Sequence, residues 1–562
     1  MILEFLRNRE LPRPAWWGSV DEALKLASSF SAFHWEIEFP DVFSGTAKGF
    51  NLVIANPPWD AVKPEDDDFF STYEPKFRNL GSKPEKNKII NKLLSDGQIK
   101  NQYERYRRRI NTKLGFYKNS GVYRKRGSGD TNLWKLFLEK ALDLLAGDGN
   151  LAIVLPSGIV TDEGGKQLRE ALFEGNIRLL YEFENKKGIF PDIDTRSKFV
   201  LLVFDRSNKS ESFPAAFYLQ DIASLEGKGE KEKFVTISKE LVKMCAPDSL
   251  SIPEVRSEKY LKVFSKLYKS HPLLGDKSRG GYVALVTELH RTNDSDLLRM
   301  DGKGWPLIEG KNFHQFIPDY EKPVYSVIPE MGLERTSRHR DLMPKSRNEF
   351  IHQHVRLVFR RIASSTNVRS MMACIMPPAF FGDHNAVTIL PLVNEIGASV
   401  NPYYFRVAYL AGIFNSLVFD FLLRMRVTMT LNFFYVYQTP VPRDSESKLV
   451  SRIQHVSVLI SSQSEKYATF AAFFNIQPRR LTMKDRVELL AELNALVAKQ
   501  YGLDRDELST ILDSFEGFKE DESILELKDE FAWSDDLIRK LNGEVRKRVL
   551  PYFDSIEIPG KE

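Results

Sequence analysis

The residues best suited to chemistry are four neighbours, Asn56, Pro57, Pro58 and Trp59. An aromatic exocyclic amine, such as that of adenine, is a poor nucleophile because its lone pair is delocalised into the ring. The Asn56 side-chain oxygen and the Pro57 carbonyl can each accept one hydrogen of such an amine, which localises the lone pair. The two prolines stiffen the loop and hold both acceptors in place. Trp59 offers a flat face for a base taken out of a duplex.

The position of this tetrapeptide supports a functional interpretation. It ends the apolar run GFNLVIAN at 49–56, which is typical of a buried strand in a parallel sheet. Ligands of open α/β sheets bind at the carboxyl ends of strands. The alternative is that the prolines only mark the turn that ends the strand. Placement directly after the strand favours the site over the turn.

Strand and helix patterns alternate around the motif. We therefore expect an α/β domain with a largely parallel sheet over residues 1–206. The predicted strands are 33–39, 49–56, 151–157, 177–185 and 199–206, and the predicted helices are 131–145 and 166–175. The segment 60–130 between the first strands is polar and predicts a long excursion with helical pieces.

The remaining chain divides into three parts by its sequence pattern. Residues 207–275, with the charge run at 228–233, are expected to be a connector. Short β-like runs broken by turns predict a mixed α/β domain over 276–445, in which residues 408–425 are expected to form one buried apolar helix. Residues 446–562 carry helical spacing and predict a helical region.

Composition narrows the class of protein. Of the 562 residues, 42% are hydrophobic and 28% are charged, which indicates a globular chain of several domains. Cys245 and Cys374 form neither a disulfide framework nor a zinc pattern, and the His352–His354 pair lacks supporting ligands, so no metal is expected. The absence of a signal peptide and of a long apolar run predicts a cytoplasmic protein without a membrane span.

Several segments resemble one protein family. HWEIEFPDVF, GFNLVIANPPWD, TNLWKLFLEKAL and FENKKGIFPDIDTRSKFVLLVF are similar to the catalytic-motif region of gamma-class amino-methyltransferases, in particular the adenine methylases of type IIG restriction–modification enzymes and related phage-defence methylases. Residues 306–316 and 437–442 resemble the target-recognition half of type IIG enzymes, and 493–515 resemble their C-terminal helical stretch. The resemblance implies a partial Rossmann-like methyltransferase domain, a mixed α/β target-recognition domain and a C-terminal helical region.

The resemblance also implies an activity. It is transfer of a methyl group from S-adenosyl-L-methionine to adenine N6 in double-stranded DNA, by an adenine-specific DNA methyltransferase of a restriction–modification or phage-defence system. Residues Asn56 to Trp59 would be catalytic, and Phe190 would contact the target base opposite Trp59; the alternative for Phe190 is a core position. Methylation of cytosine N4 stays open. A protein glutamine methyltransferase is disfavoured by the long region 276–440.

The sequence shows no segment that matches the cofactor-binding glycine loop of this family. In the family order a glycine loop precedes the catalytic motif, yet only 55 residues precede Asn56 and none form such a loop. GSGD at 127–130, LAGDGN at 145–150 and YLAGIF at 409–414 lie in the wrong context, and Glu36 and Glu38 are weak candidates. The cofactor-binding residues therefore stay unknown. We expect a fragment or a split enzyme, completed by a partner subunit or a missing N-terminal segment. The alternative is a DNA-binding specificity module or an inactive fragment.

Candidate DNA contacts are spread over several segments. Lys311, His314 and Gln315 are predicted to contact the DNA backbone or bases. Arg360 and Arg361 are further candidates. Three basic clusters could meet phosphate, each with the alternative of a solvated face: Arg105, Arg107, Arg108 and Arg109, interleaved with Tyr103 and Tyr106; Arg124, Lys125 and Arg126; and Arg335, Arg338 and Arg340.

Overall fold

The computed structural model describes ten stretches of the chain, and every structural statement below refers to them: 17–29, 33–44, 48–226, 233–276, 282–338, 351–363, 367–391, 401–427, 430–527 and 531–557. The first six strands form one sheet in the order β1-β2-β4-β3-β5-β6. They are β1 (Phe50–Ala55), β2 (Leu145–Pro156), β3 (Asn176–Glu184), β4 (Lys198–Asp205), β5 (Ser212–Leu219) and β6 (Phe234–Ser238).

The α/β class is confirmed, but the expectation of a largely parallel sheet is wrong. Only β1–β2 and β3–β5 pair in parallel, whereas β2–β4, β3–β4 and β5–β6 are antiparallel. The short connection at 185–197 contains a single 3-10 turn and no crossover helix. Parallel neighbours need a longer crossover, usually a helix, so this loop returns the chain in the antiparallel direction.

Helices cover one face of this sheet and fill the excursion after β1. They are α1 (Trp17–Ser29), α2 (Trp35–Glu38), α3 (Pro40–Phe43), α4 (Asp66–Phe70), α5 (Lys83–Leu94), α6 (Gly97–Asn119), α7 (Leu133–Leu144), α8 (Gly158–Thr161), α9 (Lys166–Phe173), α10 (Lys239–Cys245) and α11 (Glu258–Ser270). The predicted helices at 131–145 and 166–175 are thus confirmed as α7 and α9.

Two sequence predictions fail in this domain. The segment 33–39 is not a strand but contains the helical turn α2, because the aromatic rings of Trp35 and Phe39 stack on each other and both contact Phe50. Residues 207–275 are not merely a connector, since β5 and β6 extend the sheet. Phe213, Ala215 and Phe217 alternate along β5 and are each at most 1% exposed, so burial of this face holds the strand in place.

The second domain is mixed, as expected. Strands β7 (Val283–Val286), β10 (Arg356–Arg360), β11 (Ala373–Met376) and β13 (Ala386–Pro391) form an antiparallel sheet, and β8 (Trp305–Ile308), β9 (Ser326–Val327) and β12 (Phe381–Gly382) form a smaller one. Its helices are α12 (Pro329–Thr336), α13 (Asn401–Phe414), α14 (Leu417–Arg424) and α15 (Phe433–Tyr437).

The apolar stretch 408–425 is two helices rather than one. Helices α13 and α14 meet at a bend of 62°. Ser416 lies at this break, where its hydroxyl oxygen accepts a hydrogen bond from the Phe419 backbone N–H and caps α14. Among the described residues no single helix is both long and apolar enough to cross a membrane, although this bent pair meets the length and composition limits together.

The C-terminal region is helical, as predicted. It consists of α16 (Lys448–Ser461), α17 (Ala468–Ala472), α18 (Met483–Gln500), α19 (Arg505–Asp513) and α20 (Asp535–Ser555). Helix α18 begins with a capping box in which the side chains of Thr482 and Asp485 bond reciprocally to each other's backbone N–H groups. It packs against α16 and α20 and forms part of the main core with them.

In the part of the chain that the structure describes, helices cover one face of the first sheet, and the other face is exposed at β1. Leu151, Ile153 and Leu155 of β2 point toward the helices and are at most 3% exposed. On the opposite face of the neighbouring strand β1, Leu52 is 56% and Ile54 is 74% exposed. The strand predicted at 49–56 is therefore present, but the expectation that it is buried on both faces is wrong.

This asymmetry predicts that truncating two isoleucines on adjacent strands lowers the stability of the sheet by different amounts. Ile153→Ala removes buried methyl groups and should lower the opening free energy of the sheet by about 2–5 kcal/mol. Ile54→Ala removes atoms that water already touches and should cost less than about 1 kcal/mol. Hydrogen exchange of the β2 and β4 amides measures both values. Equal costs for the two substitutions would contradict the open face.

Candidate functional site

The tetrapeptide Asn56 to Trp59 leaves the sheet at the carboxyl end of β1. Asn56 is exposed, Pro57 is buried and Trp59 is half-buried. The chain that follows is fixed to the start of α7, because the Asp60 carbonyl accepts a hydrogen bond from the Leu133 N–H at 2.8 Å. The Val62 N–H donates to the Thr131 carbonyl, also at 2.8 Å. The loop is therefore held at both ends while its asparagine side chain faces solvent.

The two predicted aromatic residues lie together. The ring centroids of Trp59 and Phe190 are 5.9 Å apart, with the rings nearly perpendicular at 78°. Phe190 packs in turn against Phe199 of β4, with centroids 4.8 Å apart. Both Trp59 and Phe190 are only partly buried at the edge of this aromatic cluster. The structure thus brings Phe190 to the asparagine loop across a sequence separation that no local pattern could bridge.

Asn185 positions the loop that carries Phe190. Its side-chain amide donates to the carbonyls of Phe190 and Ile193 at 2.9 and 2.8 Å. Its side-chain oxygen accepts from the Phe190 N–H at 2.9 Å. Asn185 is fully buried, so these bonds are shielded from water. The sequence analysis missed this residue, because its role depends on the return of the chain eight residues later.

A buried charged cluster lies under the same end of the sheet. The Lys198 ammonium is 3.2 Å from a Glu182 carboxylate oxygen and also pairs with Glu254. Burial raises the pKa of Glu182, and the nearby Glu254 carboxylate adds to that rise. The Glu254 N–H donates to the Met425 carbonyl at 2.6 Å. The cluster therefore ties β3 and β4 to the residue that follows α14 in the second domain.

One glycine in each of the three candidate cofactor segments is used in packing. A Cβ on Gly127 would lie 1.9 Å from the Gly164 carbonyl oxygen, and one on Gly149 would lie 2.7 Å from that of Phe50. A Cβ on Gly412 would meet the Ser457 hydroxyl at 2.7 Å. Each glycine thus permits close contact within the protein. Gly129 and Gly147 of the first two segments have no atom within 4 Å of an added Cβ, so these segments are packed only in part.

The acidic candidates near the site do not offer a better cofactor contact. Glu36 and Glu38 are exposed and lie on the short helix α2, not at the end of a strand. A cavity of about 850 Å³ opens elsewhere, between the start of α7 and residues 432–438. Its lining includes Asp130, Lys135 and Asp162 but none of the tetrapeptide residues.

Two of the predicted DNA contacts lie in the interior. His314 and Gln315 are each 5% exposed. Burial lowers the pKa of His314 to about 3, so this ring is neutral at pH 7. The Gln315 amide donates to the Asn415 carbonyl at 2.6 Å. Their predicted contact with DNA is not available in this structure, because the neighbouring rings of Phe313 and Phe316, both fully buried, carry the segment inward.

Lys311 is the exposed member of that group. Its ammonium lies 3.3 Å from the Glu309 carboxylate. An exposed ion pair of this kind is weak and can exchange for a phosphate contact. The arginine candidates Arg360 and Arg361 are half-buried at the end of β10. The DNA-contact prediction is therefore kept for Lys311 and these two arginines.

The predicted basic clusters differ in how far their side chains are available for contact with DNA. On α6, the four arginines 105 and 107–109 are exposed. The tyrosines between them serve the fold instead, since the Tyr103 hydroxyl donates to Asp66 at 2.5 Å and the Tyr106 hydroxyl accepts from the Glu65 N–H at 3.1 Å. Arg335 is paired with Asp294 and Asp296. Arg340, from the same predicted cluster, lies outside the described residues.

Neither cysteines nor histidines form a metal centre in the part of the chain that the structure describes. No three His, Cys, Asp or Glu side chains there are grouped as metal ligands would be. Cys245 and Cys374 are buried, unpaired thiols. His352 is fully buried and lies 3.3 Å from Glu288, a contact within the second domain.

Comparison with known proteins identifies a family segment. Residues 103–190 match the Eco57I restriction-modification methylase family. This segment spans α7, β2 and β3 and ends at Phe190. No curated protein matches the chain.

Three solved structures are similar to the chain over much of its length. The type IIL restriction-modification enzyme MmeI, solved in complex with DNA, aligns with 88% of this chain at 11% identity and a TM-score of 0.41. A nuclease-deletion mutant of the type ISP restriction-modification enzyme LlaGI aligns with 93% at 10% identity and a TM-score of 0.38. The type IIG restriction endonuclease BpuSI aligns with 85% at 13% identity and a TM-score of 0.28. The chain spans 62%, 54% and 54% of these proteins, respectively.

The role of Asn185 gives a direct prediction. Asn185→Ala removes the acceptor of the Phe190 N–H and both donors to the loop carbonyls, so amide exchange at Phe190 should accelerate at least about tenfold. Asn185→Asp is the matched control, because it keeps the acceptor and loses only the donors; it should preserve more of the Phe190 protection. Unchanged exchange in the alanine variant would show that packing on Phe199 alone fixes the loop.

Proposed function

We propose that this chain is the catalytic-loop and target-recognition part of an enzyme that methylates adenine N6 in double-stranded DNA. The methyl donor is S-adenosyl-L-methionine, and the enzyme acts in the cytoplasm in a restriction–modification or phage-defence system. One observation carries the proposal: Asn56 is exposed at the carboxyl end of β1, beside the partly buried pair Trp59 and Phe190. The family match over residues 103–190 supports a restriction–modification methylase activity.

The residues of this chain prepare the amine. The Asn56 side-chain oxygen and the Pro57 carbonyl accept the two N6 hydrogens, which moves the nitrogen lone pair out of conjugation. Because the loop backbone that carries both acceptors is held at both ends before the base arrives, the reacting geometry needs little reorganisation. Trp59 and Phe190 provide aromatic surface for the base once it has left the duplex stack. A base leaves the helix more readily when its base pair is weak. The bases of A·T pairs therefore suit such a site.

The second domain provides the recognition surface in this proposal. Lys311, Arg360 and Arg361 lie on or near strands β8 and β10, and the exposed arginines of α6 lie on the domain of the asparagine loop. Arginine side chains suit both phosphate and guanine contacts. Duplex DNA bound between these two sets of residues would present one strand to Asn56.

A second candidate function is a DNA-binding specificity module without activity of its own. The packing of Gly127, Gly149 and Gly412 against protein atoms favours it, since these three glycines leave no space for the donor beside them. Calorimetry with S-adenosyl-L-methionine separates the two candidates for the isolated chain. Binding in the micromolar range supports a complete enzyme, and no binding supports a module or one part of a split enzyme.

Substitution of the proposed acceptor tests the chemistry. Asn56→Ala should abolish methylation in cells that carry the chain's native chromosomal neighbourhood, because the amine loses one of its two acceptors, while DNA affinity should change less than about twofold. Asn51→Ala, at another exposed asparagine on β1, is the matched control and should leave methylation intact. Single-molecule sequencing that distinguishes N6-methyladenine from N4-methylcytosine provides the measurement. Full methylation by the Asn56 variant would refute the assigned role.

The arginines of α6 provide a test of DNA binding. The double variant Arg105→Ala and Arg108→Ala should weaken binding to all duplex sequences and lower the salt slope by up to about 2, because two phosphate contacts are lost. Arg335→Ala is the control, since that guanidinium is paired with Asp294 and Asp296. Fluorescence anisotropy at several salt concentrations measures the slope. Equal slopes for the wild type and the double variant would place DNA elsewhere.

A further inference from the structure

A second cavity, of about 480 Å³, lies between the second domain and the C-terminal helices. Its lining comes from four segments, which fall within 317–320, 461–467, 480–486 and 531–533. A cavity of this size holds a small molecule rather than a single ion. None of the residues of the asparagine loop lines it, so it is separate from the proposed catalytic site.

Arg486 of α18 brings a positive charge to this cavity. Its side chain is only 5% exposed, and its Nη1 is buried without a hydrogen-bond partner among the described residues. Asp319, which also lines the cavity, acts on this charge without forming a hydrogen bond to it. Burial lowers the pKa of Arg486 to about 10, so the guanidinium stays charged at pH 7. A buried charge without a partner lowers the stability of the fold, and an anion bound in the cavity would remove that penalty.

The surroundings of Arg486 also favour an anion. Arg480 is an exposed second cation in the lining. The start of α18 lines the cavity too, and the positive end of a helix dipole favours negative charge. Among the described residues of the lining, Asp319 is the only carboxylate. The cavity therefore combines two guanidinium groups with one carboxylate, and guanidinium groups bind phosphate through paired hydrogen bonds.

Aromatic side chains form another part of the wall. Tyr320, Phe531 and Trp533 line the cavity and are each only partly buried, so part of each ring is left for a ligand. The guanidinium carbon of Arg486 lies 5.2 Å from the centroid of the Trp533 ring. The Tyr320 hydroxyl donates to the Asp535 carboxylate at 3.2 Å, which restrains that ring. Flat apolar surface beside a cation suits a molecule that joins an aromatic ring to an anionic group.

Gln463 adds a polar group that suits the edge of a nucleobase. Its side-chain amide nitrogen donates to the Ile460 carbonyl at 2.8 Å, which leaves the side-chain oxygen to accept from a ligand. A nucleotide supplies all three features that the lining calls for, namely a phosphate, a flat ring and N–H groups on the ring edge. A phosphate of duplex DNA suits the cavity less well, because Arg486 lies almost entirely beneath the protein surface.

We propose that this cavity binds a free nucleoside monophosphate, with its phosphate on Arg486 and its base against Tyr320, Phe531 and Trp533. The site is additional to the proposed function and does not depend on it. Since its walls come from both the second domain and the C-terminal helices, a bound nucleotide would tie these two parts together.

Calorimetry on the full chain tests the proposal. AMP, GMP, CMP and UMP are titrated separately, and the matching nucleosides and inorganic phosphate serve as probes that lack one half of the ligand. The variants are Arg486→Met, which removes the charge and keeps a long unbranched side chain, and Arg480→Ala. Arg479→Ala is the matched control, because Arg479 is an exposed neighbour outside the lining and pairs with Asp485 at 3.3 Å. Thermal unfolding of each chain is measured without nucleotide.

At least one mononucleotide is expected to bind, and its nucleoside and phosphate alone should each bind at least about tenfold more weakly. Arg486→Met should weaken binding at least about tenfold and Arg480→Ala about threefold or more, whereas Arg479→Ala should change it less than about twofold. Without nucleotide, the Arg486→Met chain should unfold at a temperature no lower than the wild type, because the charge that it removes has no partner.

Several results would overturn the proposal. They are no binding of any of the four nucleotides up to about 1 mM, equal affinity for phosphate alone, and equal affinities of the Arg480→Ala and Arg479→Ala chains. A lower unfolding temperature of the Arg486→Met chain would assign the guanidinium to the fold instead of a ligand. Binding of a single-stranded oligonucleotide without binding of any mononucleotide would also reject a free nucleotide as the occupant.

Discussion

The parallel pairing of β1 with β2 is the constraint on which the site depends. Val53 and Ala55 of β1 pack toward the main core and hold the strand against β2. Because the strand ends at Ala55, the next residue leaves the sheet at its carboxyl edge, and two prolines then prevent the chain from pairing further. The hydrogen bond between the Asp60 carbonyl and the Leu133 N–H fixes where the loop goes next. The exposure of Asn56 follows from these contacts, not from flexibility.

The same constraint leaves the strands of the sheet unequally stabilised. A strand at the edge is stabilised on one side only, and its outward side chains gain nothing from the helices on the covered face. Leaving Leu52 and Ile54 in water forgoes stabilisation of about 25 cal/mol for each Å² of apolar surface that burial would remove from solvent. The site therefore lies beside a strand that, among the described residues, is paired on one side only.

The sequence predicted the local part of this arrangement well. The apolar run at 151–157 predicted a strand and the amphipathic pattern at 131–145 predicted a helix, and the asparagine loop follows from the prolines after 49–56. The segment 33–39 misled because its aromatic residues mimic strand alternation, whereas stacking of Trp35 on Phe39 requires a helical turn. The interior positions of His314 and Gln315, and the role of Asn185, depend on contacts between distant segments, which a local pattern does not contain. The exposure of Ile54 could not be predicted either, because an apolar strand has the same sequence pattern whether or not a second layer covers it.

The most direct test is a structure of the assembled system on duplex DNA, determined by electron cryomicroscopy. One base is expected outside the helix, in contact with Trp59 and Phe190, with its exocyclic nitrogen about 3 Å from both the Asn56 side-chain oxygen and the Pro57 carbonyl oxygen. A complex in which every base stays stacked, or in which the extrahelical base lies in a pocket away from Asn56, would contradict it.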